Sequence, residues 1–195
     1  LVGIVTVDDI IDVMEQEATE DFEIMAGMTP SDKPYSRTSI FEMWKNRIPW
    51  LMFLMLSATF TSMILTDFEN ILAAQAGLVA FIPMLMGTGG NSGAQASTAV
   101  IRSLSLGDTE PRDVLRVMWK EWRVSLICGL TLAVVNFMKM LLVDGLLLQN
   151  ANVTVAVAAT VSLSIVFIVM FAKVVGSVLP IAAEKMGVDP AVMSN

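Results

Sequence analysis

Histidine is absent from the sequence, and Cys128 is the only cysteine. Without histidine the chain has no histidine-based metal site, no imidazole general base and no HExxH metal motif. A membrane-embedded enzyme would need such a motif or a nucleophile–base pair, so we do not expect enzymatic activity. The single cysteine excludes a disulfide within the chain, and its apolar neighbours suggest a buried thiol.

Charged residues are scarce and unevenly distributed. They make up 16% of the chain, against about 25% in typical globular proteins, whereas 55% of the residues are apolar. Residues 1–48 contain ten acids and four bases, and much of the remaining chain is uncharged. We therefore expect an acidic soluble head followed by an apolar body that crosses a membrane.

The apolar body contains several segments long enough to cross a bilayer, which takes about 20 residues of helix. Its uncharged runs predict transmembrane helices near 48–68, 71–102, 117–143 and 153–183. A fifth helix is expected to begin at residue 189, since an aspartate there can cap it and a proline follows in its first turn. The chain is thus predicted to be an all-α integral membrane protein, with its transmembrane domain at 48–195.

The acidic head divides into two predicted regions. A β-branched run at 1–7 predicts a strand, and the apolar spacing at 8–27 predicts an acidic helix that Thr6 and Asp9 begin with a capping box. The segment 28–47 combines a linker with an amphipathic helix that carries tryptophan, lysine and arginine. This composition is typical of a membrane interface.

Lysine and arginine lie on one side of the predicted membrane. They precede the first span, cluster between the second and third, and follow the fourth. The opposite connections, 66–70 and 144–154, contain no base. Because cytoplasmic loops carry the excess of lysine and arginine, we predict that the amino-terminal side is cytoplasmic.

A stretch rich in glycine and polar residues, GTGGNSGAQAST (87–98), lies inside the second predicted span. Small residues let two helices approach closely, which fits a helix-packing seam. Backbone carbonyls near Gly87–Gly90 and a polar stripe of Asn91, Gln95 and Thr98 fit instead a water-filled path. The stripe favours conduction, because packing alone does not require these three side chains.

Two lysines lie inside predicted spans, where a charge is costly and often functional. Lys139 is near the outer end of its span and close in sequence to Asp144, so its side chain is expected to snorkel to the surface. Lys173 lies deeper in its span. A basic lining would oppose the passage of cations, and we therefore expect both lysines to lie away from the path.

The acidic helix carries eight acids and no base between Asp8 and Glu23. Glu17, Glu20 and Asp21 share one helical face, where like charges repel by about 0.2–0.5 kcal/mol per pair. Two interpretations remain open. The face is either an ordinary solvated surface or a site for a divalent cation such as Mg²⁺, which takes oxygen ligands.

Three segments together resemble the MgtE family of magnesium channels. PMLMGTGGNSGAQASTAVIRSL (83–104) and GVDPAVMSN (187–195) are similar to motifs of its membrane domain. LVGIVTVDDIIDVMEQEATEDF (1–22) looks like the end of a CBS domain that runs into the family's connecting helix. The resemblance covers essentially the whole chain, and it implies that 1–27 is the end of a cytoplasmic CBS domain with the acidic connecting helix.

The resemblance also implies an assembly and a pore. Members are homodimers with five transmembrane helices per subunit, the fifth being truncated in this sequence, and the second and fifth helices line an ion path at the dimer interface. The implied pore-lining or pore-supporting residues are Gly87, Gly89, Gly90, Asn91, Gly93, Gln95 and Thr98. Asn195 would bind the ion in this path, and the family's acidic pore residue would come after it.

The resemblance implies regulation by the transported ion as well. In the family, Mg²⁺ bound between the cytoplasmic domains and the connecting helix closes the pore. Carried over by position, the metal ligands of this chain would be Asp9, Asp12, Glu17, Glu20 and Asp21. Their partner ligands would belong to the cytoplasmic amino-terminal and CBS domains of the same full-length chain.

The implied protein is a magnesium-selective channel of the cell (plasma) membrane. It would move Mg²⁺ into the cytoplasm down the electrochemical gradient, and Mg²⁺ would be both the transported and the regulatory ion. Its implied partners are a second copy of the chain and the lipid bilayer, and no nucleic acid.

Two other functions stay open. A buried, titrating carboxylate would favour a coupled divalent-cation exchanger, and none is visible in the first four predicted spans. A membrane-anchored Mg²⁺ sensor without transport would need only the acidic head, and the polar stripe counts against it.

Overall fold

The computed structural model describes residues 3–31, 33–74, 76–150 and 152–194, which contain no β-strand. The prediction of an all-α protein is therefore confirmed. The elements are α1 (Val7–Met25), a 3₁₀ turn (Tyr35–Arg37), α2 (Ile40–Asp67), α3 (Glu69–Ala74), α4 (Ala76–Val79), α5 (Ile82–Ser105), a 3₁₀ turn (Pro111–Asp113), α6 (Val114–Lys139), a π-helix (Met140–Leu147), α7 (Val155–Lys185) and a 3₁₀ turn (Pro190–Ser194).

The chain forms two compact units, the first extending to Thr61 and the second running from Ser62 to Ser194. The first unit begins with the predicted capping box. The Thr6 hydroxyl accepts a hydrogen bond from the N–H of Asp9 at 3.3 Å, and the N–H of Thr6 donates to the Asp9 carboxylate at 2.8 Å. These bonds satisfy backbone donors that a helix start leaves unpaired.

The strand predicted at 1–7 is not found in the described residues. Positions 3–6 are irregular, and Val7 already belongs to α1. A strand needs a neighbouring strand to pair its backbone groups, and the described part of the chain supplies none. The capping box instead sets the start of a helix.

The loop after α1 is tied to the first half of α2. Gly27 has a φ of +69°, a conformation that glycine adopts at little cost, and a Cβ at this position would overlap the Trp50 ring. The N–H of Thr29 donates to the carbonyl of Asn46 at 2.9 Å. The turn therefore depends on a glycine for both its backbone conformation and its packing.

Helix α2 runs unbroken through Pro49 and joins the predicted interfacial segment to the first predicted span. The domain boundary predicted between residues 47 and 48 lies within this helix and stays a prediction. A proline removes one backbone hydrogen-bond donor from a helix, but the helical residues before and after Pro49 form one continuous helix. None of the residues of α2 is buried.

In the second unit, α7 packs against both α5 and α6. One buried cluster joins the start of α7 to the first residue of the π-helix and the residue before α5, and it contains Phe81, Met140, Val157, Ala158 and Val161. At the other end, Val100 and Leu104 of α5 pack with Ile181 of α7. The long central helix thus holds α5 in place along most of its length.

Three helical segments in the described residues are long and apolar enough to cross a membrane: Ile40–Asp67, Pro111–Leu147 and Val155–Lys185. The span predicted at 71–102 is divided among α3, α4 and α5. Helix α5 is not one of the three, because its glycine, hydroxyl and amide residues lower its hydropathy. The same residues that make this helix a candidate path make it a poor match to a lipid-facing helix.

The predicted fifth helix is not visible as a long helix among the described residues. The segment Pro190–Ser194 is a short 3₁₀ turn that packs against α5 and α7. Asp189 accepts a hydrogen bond from the N–H of Ala191 at 2.8 Å, as a helix cap would. The count of five helices per subunit therefore stays a prediction.

Candidate ion path along α5

Helix α5 has two chemically different faces. Ser92, Ala96 and Val100 on one face are buried. The opposite face is exposed. It consists of two glycines and the predicted polar stripe: Gly87, Gly90, Asn91, Gln95 and Thr98. These positions recur every three to four residues, so they form one continuous line along the helix.

The predicted glycines divide between these two faces. A Cβ at Gly87 or Gly90 would meet no heavy atom within 4 Å among the described residues. A Cβ at Gly89 would lie 2.8 Å from Cγ2 of Ile168, and one at Gly93 would lie 3.3 Å from the carbonyl oxygen of Ala172. The packing interpretation therefore holds for Gly89 and Gly93, which allow α7 to pack closely, whereas Gly87 and Gly90 border open space and the path stays a prediction.

Helices α5 and α7 approach each other closely at Gly93 and Gly176. A Cβ at Gly176 would overlap the carbonyl oxygen of Gly93 and would lie 3.0 Å from its Cα and carbonyl carbon. The absence of a side chain at residue 176 is what lets the two backbones come this near. A similar contact joins α6 to α7, where a Cβ at Gly129 would lie 3.1 Å from Cα of Val166.

Lys173 lies beside the exposed stripe, contrary to our expectation. Its Nζ is 3.5 Å from Oε1 of Gln95, and the residue is 6% exposed. The prediction that it lies away from the candidate path is wrong, because the close approach of α5 and α7 brings its long side chain to the edge of α5. Lys139 behaves as expected, since its Nζ lies 2.7 Å from Oδ2 of Asp144.

The segment after Asp189 is bonded to α5. The hydroxyl of Ser97 donates to the carbonyl oxygen of Met193 at 2.8 Å, and Ser194 is buried. This hydrogen bond holds the 3₁₀ turn Pro190–Ser194 beside α5. Asn195, the predicted ion ligand in this segment, lies outside the described residues.

The predicted acidic ligands lie along α1, and several of them border one open groove of about 500 Å³. The groove lies between α1 and the segment that follows it, within the first unit. Asp12, Glu17 and Glu20 line it, together with two acids that were not predicted as ligands, Glu15 and Glu23. The structure therefore brings three of the five predicted acids to one surface that is rich in carboxylates.

The other two predicted acids have different surroundings. Asp9 is engaged in the helix cap, where the side-chain hydrogen bond from Thr6 and then the backbone bond lower the pKa of its carboxyl. Asp21 is half-buried. Among residues 3–31, 33–74, 76–150 and 152–194, no group of three or more His, Cys, Asp or Glu side chains is arranged to hold a metal ion. Full coordination would thus need further ligands or movement of these side chains.

Sequence reasoning missed two buried polar features. Oε2 of Glu184, in the last turn of α7, is buried and has no hydrogen-bond partner among the described residues. Nδ2 of Asn136 donates to Oγ of Ser162 at 3.0 Å in the buried contact of α6 with α7. The sequence offered only a weak signal, which was an isolated asparagine or glutamate in an apolar segment. The sequence could not show which residues of a neighbouring helix would surround it.

The sequence was compared with protein-family models and with curated proteins. A family model described as MgtE, divalent cation transporter, matches residues 82–195, which is more than half of the chain. The chain is 43% identical over 195 residues to the magnesium transporter MgtE of Thermus thermophilus and 34% identical over 195 residues to that of Bacillus subtilis. It is 29% identical over 198 residues to the magnesium transporter MgtE of Enterococcus faecalis.

Each of these alignments covers 100% of this chain and 41% of the relative, so the chain spans about two fifths of the length of the curated relatives it matches. The matched region contains α5, α6, α7 and the final 3₁₀ turn, which are the elements that build the candidate path. The resemblance inferred from the sequence is confirmed, and with its apolar helices the chain is a multi-pass membrane protein. This chain belongs to the MgtE family.

Proposed function

We propose that this chain forms part of a Mg²⁺-selective ion channel and that the polar face of α5 lines the ion path. The observation that carries the proposal is the exposed face of α5, which contains Asn91, Gln95 and Thr98. These polar side chains are exposed although the helices before and after α5 in the sequence are long and apolar. Polar groups at membrane depth are stable only against protein or water. The relatives named as magnesium transporters support Mg²⁺ as the ion.

The chemistry of this face suits a hydrated dication. Mg²⁺ dehydrates reluctantly and is commonly held through its water shell. Amide and hydroxyl oxygens of the stripe accept hydrogen bonds from such water molecules. The open space beside Gly87 and Gly90 leaves room for an ion that keeps its water.

One copy of α5 provides only one wall of a path. We therefore propose a homodimer in which two copies of the stripe face each other, with five transmembrane helices in each subunit. The bond from Ser97 to the carbonyl of Met193 supports a role for the following residues as well, because it holds the segment before Asn195 beside α5. Asn195 would then contribute its amide oxygen to the same path.

The charges of the loops support a direction of transport. The excess of lysine and arginine on one side favours a cell-membrane orientation with the amino-terminal side in the cytoplasm. An inside-negative potential then favours entry of Mg²⁺ by about 4.6 kcal/mol per 100 mV, twice the value for a single charge. Channel opening needs no chemical energy source under this gradient.

The acidic groove would sense the transported ion on the cytoplasmic side. Its carboxylates, including Asp12, Glu17 and Glu20, repel one another when Mg²⁺ is scarce. We propose that Asp9 and Asp21 share in this site, and that the missing ligands come from cytoplasmic amino-terminal and CBS domains. Bound Mg²⁺ would favour the closed state because it neutralises carboxylates that otherwise repel one another.

A coupled cation exchanger is the second candidate, and a specific observation favours it. Oε2 of Glu184 is buried and has no hydrogen-bond partner among the described residues, and a coupled exchanger would need a buried carboxylate. An exchanger would lose its dependence on a pH gradient in the Glu184→Gln variant. A channel would carry Mg²⁺ equally well with and without a pH gradient.

The test uses the protein in its full natural length, reconstituted in liposomes that contain a magnesium-sensitive dye. Mg²⁺ entry is followed with low or high Mg²⁺ on the cytoplasmic face, for wild type and for the variant Glu17→Ala, Glu20→Ala, Asp21→Ala. We expect high cytoplasmic Mg²⁺ to stop flux in wild type but not in the variant. The acids Asp67, at the end of α2, and Glu69, at the start of α3, provide a control double-alanine variant that should behave as wild type.

Each outcome separates the candidates. Flux that the triple substitution does not alter would retain the channel and remove the acidic helix from gating. An absence of flux in wild type under every gradient would refute transport and leave a membrane-anchored sensor.

A further inference from the structure

Lys173 is a buried positive charge that the proposed path does not yet explain. The residue is 6% exposed, in the middle of α7. Its ammonium group has three donors, yet Oε1 of Gln95 at 3.5 Å is its one hydrogen-bond acceptor within the described ranges. Lys173 forms no ion pair with an acid of the described residues, whereas Lys139 is paired with Asp144. An intramembrane charge without a counter-ion is costly and is a functional feature by default.

The position of Lys173 follows from the contact of α5 with α7. Gly176 lies one turn after Lys173, and Gly93 lies two residues before Gln95. The near contact of these two glycines brings α7 close enough for the lysine side chain to reach the edge of α5. The charge is therefore fixed at one level of the exposed stripe, beside Gln95.

We propose that Lys173 sets the affinity of the path for cations at the level of Gln95. This inference rests on the proposed function. The Lys173 ammonium donates to the Gln95 amide oxygen, which orients that side chain, and it adds one fixed positive charge behind the wall of the path. Lys173 is thus a positioning residue that acts on the ion through Gln95 and through its field.

A positive charge in this place has a physical use. Conduction requires an ion to bind well enough to enter and weakly enough to leave. Coulomb energy is proportional to the charge of the ion, so one fixed positive charge weakens the binding of a dication twice as much, in free energy, as that of a monovalent cation. The lysine thereby prevents the acceptors of the stripe from trapping Mg²⁺.

The experiment measures initial Mg²⁺ flux against Mg²⁺ concentration in liposomes that contain the protein in its full natural length. We expect Lys173→Met to lower the half-saturating Mg²⁺ concentration by about tenfold, which corresponds to about 1.4 kcal/mol. Lys173→Arg keeps the charge and should keep the half-saturating concentration of wild type. Lys139→Met removes a lysine that is paired with Asp144 elsewhere in the unit, and it should also leave this concentration unchanged.

The results distinguish this role from a structural one. Lower maximal flux in Lys173→Met, with the half-saturating concentration of wild type, would overturn the inference while leaving the channel intact. Equal shifts in Lys173→Met and Lys173→Arg would also overturn it, because charge would then not be the cause. If Lys173→Met does not fold, Lys173→Gln supplies the neutral variant. Wild type without Mg²⁺ flux would overturn the proposed function and this inference together.

Discussion

Replacing Gly176 with alanine tests whether the close approach of α5 and α7 holds the second unit together. The added methyl group would overlap the carbonyl oxygen of Gly93 and lie 3.0 Å from its Cα. Both atoms belong to backbone, so neither can rotate away, and the two helices must separate. Overpacking of this kind typically costs about 1–3 kcal/mol.

The net effect is smaller because alanine favours a helix. Alanine stabilises the interior of a helix by about 0.5–1 kcal/mol relative to glycine. We therefore expect Gly176→Ala to destabilise the unit by about 1–2 kcal/mol. The control is Gly90→Ala, since a Cβ there meets no heavy atom of the described residues within 4 Å and only the gain in helix propensity remains.

The assay is the thermal unfolding midpoint in detergent, followed through tryptophan fluorescence. At about 2–4 °C per kcal/mol for a unit of this size, Gly176→Ala should unfold several degrees below wild type, and Gly90→Ala at or slightly above it. A midpoint of Gly176→Ala equal to that of Gly90→Ala would show that the helices do not meet at these glycines. The arrangement of α5, α7 and Lys173 would then need revision.

Three further predictions concern other parts of the chain. Gly90→Ala, although stable, should reduce Mg²⁺ flux in liposomes because its methyl group enters the space beside the stripe. A double-mutant cycle of Asn136→Leu and Ser162→Ala should give a coupling energy of about 0.6 kcal/mol in unfolding experiments, the average for such bonds in membrane proteins. Thr6→Ala should raise the pKa of Asp9 towards 3.8, as an NMR titration would measure. Since the helical state lowers this pKa, the cap contributes stability above pH 3.8 and loses it as the pH falls through the lowered value.

Much of the fold could be predicted because its signals are local. Hydropathy predicts helices near 153–183, where α7 runs from Val155 to Lys185, and Thr6 with Asp9 predicts the start of α1. The division of the segment 71–102 among α3, α4 and α5 was not predicted, because uncharged residues continue through it. Nor could hydropathy show that α2 would pass through Pro49.

The candidate site was only partly predictable for a different reason. Helical spacing alone predicts that Asn91, Gln95 and Thr98 share a face, and the structure leaves this face uncovered. Spacing cannot tell which neighbour will reach that face from another helix. The proximity of Lys173 to Gln95 depends on contact between two glycines far apart in sequence, and only the packed helices reveal it.

The central claim is that the polar face of α5 borders water that carries the ion, and cysteine accessibility tests it most directly. In a Cys128→Ser background of the full-length protein, Thr98→Cys probes the exposed face, and Val100→Cys probes the buried face, where Val100 is 5% exposed. A charged, water-soluble thiol reagent should modify the cysteine at position 98 and block Mg²⁺ flux, and should leave the cysteine at position 100 unmodified. Lack of reaction at position 98, or reaction there without any loss of flux, would contradict the proposed path.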